Sequence, residues 1–284
     1  SVTAMVGMSY RESNSDNISA SSKGSNILKG YEPNFRYLSY VLGDAPKSFS
    51  NAPSKSASLA YFGRLIYSYD NRYSVQANFR ADAFDSSKLS AKNRWGYFPS
   101  FSLGWTVSNE SFVKDNISRS AMSFLKLRAS WGRNGNISVL SGYPYATTIS
   151  VGNNHYQYDV DHAGSVFSSS PNGLPNPNLT WETSEQIDLG IDARFLSDRL
   201  TFGFDFYDKR TKDLLFSKPV PPELGVSSVT INGGQVLNQG VEIELGWKDN
   251  IGDFSYGINA NLSTIRNEVL ELPEGTSRVT STDA

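Results

Sequence analysis

The sequence contains no cysteine, so neither a disulfide bond nor a thiolate metal site can form. It has no run of about 18 consecutive apolar residues, which excludes a transmembrane helix. Charged residues make up only 19% of the chain, below the level of about 25% that is usual in soluble domains. The net charge is −2, and the lysines and arginines are scattered along the chain. This charge pattern excludes a nucleic-acid partner, because no basic surface is available to collect phosphates.

Aromatic residues are abundant by contrast, and many lie in stretches where apolar and polar residues alternate. Between residues 73 and 82, Tyr73, Val75, Ala77, Phe79 and Ala81 alternate with Ser74, Gln76, Asn78, Arg80 and Asp82. A two-residue period indicates a β-strand with two different environments. The chain begins at Ser1 in the same alternation, with no signal peptide, and we therefore expect an interior piece of a longer, processed protein.

Similar runs recur along the chain and predict about nine strands. They cover residues 1–11, 59–69, 73–82, 101–107, 125–131, 187–195, 200–207, 241–247 and 254–262. Short turns, such as Asp70–Arg72 and Ser197–Arg199, alternate with long polar loops at about 12–56, 85–96, 134–183 and 212–238. Short local strands are expected around Tyr143 to Ser150. The alternation of connection lengths predicts an up-and-down order with short turns at one rim and long loops at the other.

A soluble sandwich and a transmembrane barrel both produce alternating strands, so alternation alone leaves both possible. Three further features favour the barrel. The longer runs reach ten residues or more, which suits a tilted crossing of a bilayer. Aromatic residues lie near the short turns, where a membrane interface would hold them. Charges lie in the middle of the strands on the polar face, which a wet lumen tolerates and a dry core does not: Arg64, Arg80, Asp188, Asp192, Asp205, Glu242 and Glu244.

Six blocks of sequence, in order, resemble the barrel of SusC/RagA-type TonB-dependent transporters of Bacteroidota. They are RYSVQANFRAD (72–82), YFPSFSLGWTVSNESF (97–112), FLKLRASWGRNGN (124–136), LTWETSEQIDLGI (179–191), LTFGFDFYDKRTKDL (200–214) and GVEIELGW (240–247). The resemblance implies an outer-membrane barrel of about 22 strands. It also implies an N-terminal plug, a segment that contacts TonB, and a SusD-like lipoprotein lid over the outer mouth.

We therefore predict an all-β, antiparallel up-and-down transmembrane β-barrel that is partial, with about nine strands of the presumed 22. Residues 1–284 would form part of the barrel domain, without the plug and the TonB-contacting segment. Such a partial set of strands should not close a barrel alone, because unpaired edges are costly in lipid. The predicted function is TonB-dependent import of oligosaccharides or peptides across the bacterial outer membrane, in contact with its lipid and together with a SusD-like lid. The alternative is a soluble, secreted all-β carbohydrate-binding module.

We tested for catalytic and metal sites and predict no enzyme, no cofactor and no metal. Asp188 and Asp192 are about 13 Å apart on a strand, too far for a glycosidase pair. Glu242 and Glu244 are about 7 Å apart, a spacing compatible with an inverting glycosidase, but a wetted strand face explains them more simply. The loop histidines and aspartates at positions 155, 159, 161 and 162 lack the spacing of a zinc or EF-hand site.

Two sets of residues are candidates for contact with cargo or partners. The first is aromatic and belongs to the longest loop, where flat rings could stack on sugars or contact the lid, or else pack within the loop: Tyr143, Tyr145, Tyr156, Tyr158 and Trp181. The second is charged and should face the lumen or the plug, or simply form the barrel wall: Arg64, Arg80, Asp82, Lys126, Arg128, Asp188, Asp192 and Arg194. The apolar residues from Tyr73 to Ala81 should face lipid.

Overall fold

The computed structural model describes residues 1–22, 47–152 and 168–273 of the chain. The chain divides into two compact units. Residues 10–58 form one unit, and residues 1–9 together with the chain from Leu59 onward form the other. The candidate site lies entirely in the second unit.

Thirteen strands are found in the described residues. They are β1 (Val2–Ser22), β2 (Lys47–Tyr69), β3 (Tyr73–Phe84), β4 (Trp95–Thr106), β5 (Met122–Asn136), β6 (Ile149–Gly152), β7 (Ser168–Pro171), β8 (Glu182–Phe195), β9 (Leu200–Lys212), β10 (Leu215–Pro219), β11 (Ser228–Asn232), β12 (Gln235–Ile251) and β13 (Phe254–Glu271). Nine of them form one sheet in the order β1-β2-β3-β4-β5-β8-β9-β12-β13. The pairs β6–β7 and β10–β11 form two small separate sheets.

The large sheet confirms the prediction of nine long strands in up-and-down order. Each strand pairs with the next long strand along the chain, and every pairing from β3 to β13 is antiparallel. The described helices are short: α1 (Ser111–Lys114) and two 3-10 turns at Val107–Asn109 and Pro222–Leu224. No helix in the described part of the chain is long and apolar enough to cross a membrane, an observation that does not bear on strands.

The observed strands differ from the predicted boundaries in three regions of the chain. Strand β1 continues to Ser22 and β2 begins at Lys47, inside the predicted loop of residues 12–56. Strands pair through backbone hydrogen bonds, which do not depend on the side chains. A strand that is polar on both faces can therefore form without the apolar–polar alternation that marks a half-buried strand in the sequence. The predicted loop of residues 212–238 contains β10 and β11 for the same reason. The local strands expected around Tyr143 to Ser150 are represented by β6, which begins only at Ile149.

The two rims of the sheet differ in their connections, as predicted. One rim carries the turn at residues 70–72, the turn at 196–199, the turn at 252–253 and the longer connection 107–121. Asp70 and Asn71 both have positive φ, at 48° and 50°, which is the geometry that joins twisted strands tightly. The opposite rim carries the long connections at residues 85–94, 137–181 and 213–234. We call them the short-turn rim and the long-loop rim.

The register is staggered steadily across the sheet. Tyr73, at the start of β3, begins a row of directly paired residues that continues through Trp105, Leu127, Ile191, Phe204 and Ile243 to Leu262. Tyr73 is the first residue of β3, next to the short-turn rim, whereas Leu262 is the ninth residue of β13. The strands therefore run obliquely to a line that joins the short turns.

Candidate functional site

One face of the sheet is polar and is cross-linked from strand to strand by side chains. Arg64 Nε donates to Asn78 Oδ1 at 2.8 Å, and Asn78 Nδ2 donates to Ser100 Oγ at 3.0 Å. Farther along the sheet, Ser130 Oγ donates to Asp188 Oδ2 at 2.9 Å. Because these residues follow the two-residue period, the polar residues between them share the same face. We call this surface the polar face.

A groove of about 970 Å³ lies on the polar face toward the long-loop rim. Its lining combines amides, hydroxyls, charges and aromatic rings, among them Phe62, Arg64, Asn78, Arg80, Phe98, Ser100, Asn134, Trp181, Gln186 and Lys209. Such a lining can donate and accept hydrogen bonds and can stack on a flat ligand face. The groove has the chemistry to contact a polar solute.

Arg128 forms ion pairs with two carboxylates in the middle of the polar face. Its Nε lies 2.7 Å from Asp192 Oδ2 on the neighbouring strand β8, and its Nη2 lies 3.0 Å from Asp205 Oδ1 on β9. Asp205 is two strands away, and Arg128 reaches it by crossing Gly190 of β8. A Cβ on Gly190 would lie 2.7 Å from Arg128 Cζ. Glycine at this position therefore leaves the space that the guanidinium occupies.

The eight charged residues predicted to face the lumen or plug all lie on the polar face. They are Arg64, Arg80, Asp82, Lys126, Arg128, Asp188, Asp192 and Arg194. Arg80 pairs with Asp82 at 2.7 Å, and Lys126 is paired in register with Asp192. Arg194 lies over the ring of Phe124 at 5.2 Å. Contact with a lumen or a plug stays a prediction for all eight.

Sequence reasoning missed two members of this arrangement. Asp205 was noted as a mid-strand charge but was not included among the site residues, although it completes the Arg128 group. Gly190 lies inside β8, midway between Asp188 and Asp192. In the sequence it stands only as one position of the two-residue alternation. A glycine inside a strand often marks a close approach by another group, and that signal could have identified it.

The opposite face is apolar and exposed in the middle of the strands. Phe79, Phe101, Leu103 and Leu189 are 42–50% exposed, a high value for large apolar side chains at the centre of a sheet. The residues predicted to face lipid, Tyr73 to Ala81, lie on this apolar face, although Ala81 itself is buried. Ala81 is small and pairs directly with the larger Tyr97. This face needs a non-aqueous neighbour.

Stacked aromatic rings border the apolar face at both ends of β3. Near the short-turn rim, the ring of Tyr73 stacks between Tyr69 at 6.4 Å and Trp105 at 6.5 Å between centroids. Toward the long-loop rim, Tyr61 stacks on Trp95 at 6.0 Å between centroids, and a second pair, nearer the middle of β3, is Phe79 stacked on Tyr97 at 6.2 Å. We call these rows the inner and outer aromatic ladders. Aromatic rows of this kind flank the apolar band of membrane barrels.

At the short-turn rim, a buried carboxylate joins two connections. Glu110, 7% exposed, accepts hydrogen bonds from Trp105 Nε1 at 3.0 Å and from Arg72 Nη1 at 3.1 Å. Hydrogen bonds from Tyr73 and Trp105, with Arg72 nearby, hold the pKa of Glu110 below its usual value although burial opposes the shift. Asn109 Nδ2 also donates to the backbone oxygen of Asn71 at 2.9 Å.

At the long-loop rim, three connections pack around a small hydrophobic core. This core comprises Leu89, Phe98, Ile137, Leu140, Leu179, Trp181 and Leu215, with Phe84 against it. Trp181 is 8% exposed and its indole N–H donates to Arg94 O at 3.3 Å. Trp181 therefore packs mainly against other residues of these loops, with only an edge at the groove, and its contact with cargo or a lid stays a prediction.

The other candidate aromatic residues have different surroundings. Tyr145 Oη donates to Ser86 O at 2.7 Å and its ring meets Tyr143 edge-on at 6.4 Å. Tyr143 remains 45% exposed, so it is available for a contact. Tyr156 and Tyr158 lie outside the described residues, as do the loop histidines and aspartates at 155, 159, 161 and 162. Among the residues that are described, no group of three or more acidic or histidine side chains could hold a metal ion.

Hydrogen bonds connect the same long connections to one another beyond this core. Asn93 Nδ2 donates to Leu179 O at 2.9 Å, joining residues 85–94 to residues 137–181. Thr180 N donates to Asn232 Oδ1 at 2.8 Å, and Asn232 Nδ2 donates back to Thr180 O at 3.0 Å. These bonds join β11 to the segment before β8. The described parts of the three connections, with their shared core, form what we call the loop platform.

Known proteins resemble the chain over nearly its whole length. The family model described as TonB dependent receptor-like, beta-barrel matches residues 1–282. TonB-dependent receptor SusC of Bacteroides thetaiotaomicron is 35% identical over 263 residues, covering 88% of this chain and 26% of that protein. TonB-dependent receptor P3 of Formosa agariphila is 33% identical over 231 residues, covering 81% of this chain and 22% of that protein.

A solved structure has the same fold. The RagAB peptide importer in its closed-closed state superposes with a TM-score of 0.81 and 27% identity, covering 99% of this chain and 29% of that chain. The chain thus spans about a quarter of the length of the proteins that it matches.

Proposed function

This chain belongs to the β-barrel family of TonB-dependent receptors, and from that membership we propose that the protein containing it imports nutrients across the bacterial outer membrane. The resemblance to SusC/RagA-type barrels is confirmed, and the family places the chain in the outer membrane. The family is one of receptors and transporters. We propose oligosaccharides or peptides as cargo, moved without covalent chemistry.

The observation that carries this proposal is the two-faced sheet. A soluble sandwich would cover the apolar face with a second large sheet. In the described residues the other two sheets have only two strands each, and apolar side chains of the nine-stranded sheet stay exposed. The polar face keeps paired charges, such as Arg128 with Asp192, that a lumen would hydrate. The secreted carbohydrate-binding module is therefore the weaker candidate.

We propose a SusD-like surface lipoprotein and TonB as partners. The RagAB importer and SusC, which the chain resembles, support a lid of this kind. The loop platform supplies a packed surface at the long-loop rim for it, with Tyr143 as one exposed contact. TonB would act through a plug segment, and the polar-face charges would line the passage or contact that plug. The absence of a plug from residues 1–284 remains an expectation.

The test uses the full-length protein in its native outer membrane. We expect it to enter the detergent phase on cloud-point separation and to be required, with TonB, for uptake of labelled oligosaccharides or peptides. Partition into the aqueous phase without detergent would contradict the membrane assignment. Glycan hydrolysis that disappears in a Glu242→Gln variant would favour an enzyme instead.

A further inference from the structure

Residues 107–121 form the longest connection at the short-turn rim, and we call them the rim connector. The other described connections at this rim span residues 70–72, 196–199 and 252–253. The rim connector holds a 3-10 turn at Val107–Asn109 followed by α1, and Val107 and Val113 are buried. Its backbone is closed by local hydrogen bonds, including Ile117 N to Val113 O at 2.8 Å. It is therefore an ordered element that is larger than a strand reversal requires.

The rim connector exposes both apolar and basic side chains. Phe112 is 57% exposed and Ile117 is 40% exposed. Lys114 and Arg119 are also exposed, and neither makes an ion pair with any residue that the structure describes. Asp115 lies between them, so residues 111–121 carry a net charge of +1. An apolar ring beside free cations is the composition of a membrane-interface contact.

The rim connector begins beside the inner aromatic ladder, at one end of the apolar face. Glu110 immediately precedes α1 and accepts one hydrogen bond from Trp105, whose ring belongs to the inner aromatic ladder. Arg72, which also binds Glu110, lies over the rings of Tyr69 and Tyr73 at 5.8 and 6.0 Å. The connector thus leaves the sheet at the border between the apolar face and water, where phospholipid headgroups would lie.

We propose that the rim connector binds phospholipid of the leaflet on the short-turn side. Phe112 and Ile117 enter the boundary between headgroups and acyl chains, and Lys114 and Arg119 contact lipid phosphates. This inference rests on the proposed outer-membrane function. It adds a lipid-binding element at the rim, beyond the apolar band of the strands. The alternative occupant, a protein partner on the short-turn side, would exclude lipid from the same side chains.

The first arm of the test measures the depth of the connector. In the full-length protein, with any other cysteine replaced, single-cysteine variants Phe112→Cys and Ile117→Cys carry a bimane fluorophore in phosphatidylcholine vesicles. Leu103→Cys in the apolar band and Val139→Cys at the long-loop rim, 46% and 61% exposed in the native chain, are the controls. We expect lipids brominated near the headgroup to quench positions 112 and 117 at least half as strongly as position 103, and to leave position 139 unquenched.

The outcomes of this arm separate the two proposals. If position 103 is quenched while position 112 resembles position 139, the rim connector does not reach lipid and the inference is wrong, whether water or a protein surrounds it. If position 103 is not quenched either, the outer-membrane function itself fails. Retention of the folded band in unheated gels shows that each labelled variant is intact.

The second arm measures the headgroup contact with the bimane at position 112. We compare quenching by brominated phosphatidylglycerol and brominated phosphatidylcholine, each diluted in unbrominated phosphatidylcholine. We expect the anionic lipid to be enriched, and Lys114→Gln or Arg119→Gln each to lower the enrichment about fivefold. Asp115→Asn is the matched control, and it should preserve or raise the enrichment. An enrichment that is unchanged in both glutamine variants would overturn the headgroup contact.

Discussion

The hydrogen bonds of Glu110 at the short-turn rim make the thermal stability of the protein depend on pH in the acid range. Hydrogen bonds from Tyr73 and Trp105 and the nearby Arg72 lower its pKa in the folded state below the ordinary value of 4.5. A group whose pKa is lower in the folded state than in the unfolded state stabilises the fold at any pH above its unfolded-state pKa. This stabilisation is lost as the pH falls through the folded-state pKa. We therefore expect thermal stability to fall as the pH drops from about 4.5 through the lower folded-state pKa of Glu110, because in this range the unfolded state binds the proton more readily than the folded state.

The variant Glu110→Gln isolates this effect. It should unfold at a lower temperature than the parent at neutral pH, and the difference should shrink as pH falls below 4.5. Thermal unfolding of the full-length protein in detergent at a series of pH values measures this. Glu223→Gln is the control, because Glu223 lies on the exposed 3-10 turn at the long-loop rim. Equal pH dependence in the parent and in Glu110→Gln would refute the assignment.

Gly190 makes a second prediction at the scale of one residue. In Gly190→Ala, the new Cβ would lie 2.5 Å from Asp205 Oδ1 and 2.7 Å from Arg128 Cζ, so the ion-pair group must move. Because these side-chain ends are flexible and partly exposed, we expect a loss of up to about 1 kcal/mol in unfolding free energy. Gly203→Ala on the next strand is a matched control, since its Cβ would meet Glu244 Cβ at an ordinary 3.4 Å. Equal stability of the two variants in urea would contradict the crossing of Arg128 over Gly190.

At the scale of elements, the loop platform depends on Trp181. Trp181→Ala removes a buried ring from the small core, a change that costs about 3–5 kcal/mol in well-packed sites. We expect faster proteolytic cleavage within residues 85–94 and 137–148 while the strands stay protected. Val139→Ala, at a site 61% exposed, should leave cleavage unchanged. Limited proteolysis of the full-length protein, followed by mass spectrometry, measures both, and unchanged cleavage in Trp181→Ala would count against a shared core.

Most strands could be predicted from the sequence because two environments impose a visible period. Strand β3, for example, was expected over residues 73–82 and observed over Tyr73–Phe84. Strands whose two faces are both polar, such as the distal part of β1, carry no such period and were missed. The loop platform was missed because its contacts join residues distant in sequence, such as Asn93 with Leu179. The same distance concealed the burial of Trp181.

At the scale of the whole molecule, the stagger of the register predicts the strand tilt. The row of paired residues that starts at Tyr73, the first residue of β3, crosses six strand pairings and ends at Leu262, the ninth residue of β13. The register is therefore displaced by eight residues over six strand spacings. Eight residues at about 3.3 Å, over six strand spacings of about 4.8 Å, give a tilt of about 40° if the short turns lie at one level. Polarised infrared spectroscopy of the full-length protein in oriented bilayers measures this angle. A mean tilt below about 25° would contradict a level rim.

The two aromatic ladders have a consequence for the bilayer that the protein can occupy. Trp95 lies opposite Ala83, ten residues along β3 from Tyr73, where the inner ladder lies. At about 3.3 Å per residue and a tilt of about 40°, the ladders are separated by a vertical height of about 25 Å. This matches a hydrocarbon layer thinner than the average of about 30 Å, as bacterial outer membranes have. In thicker bilayers, hydrophobic mismatch would force the surrounding acyl chains to compress against this part of the wall.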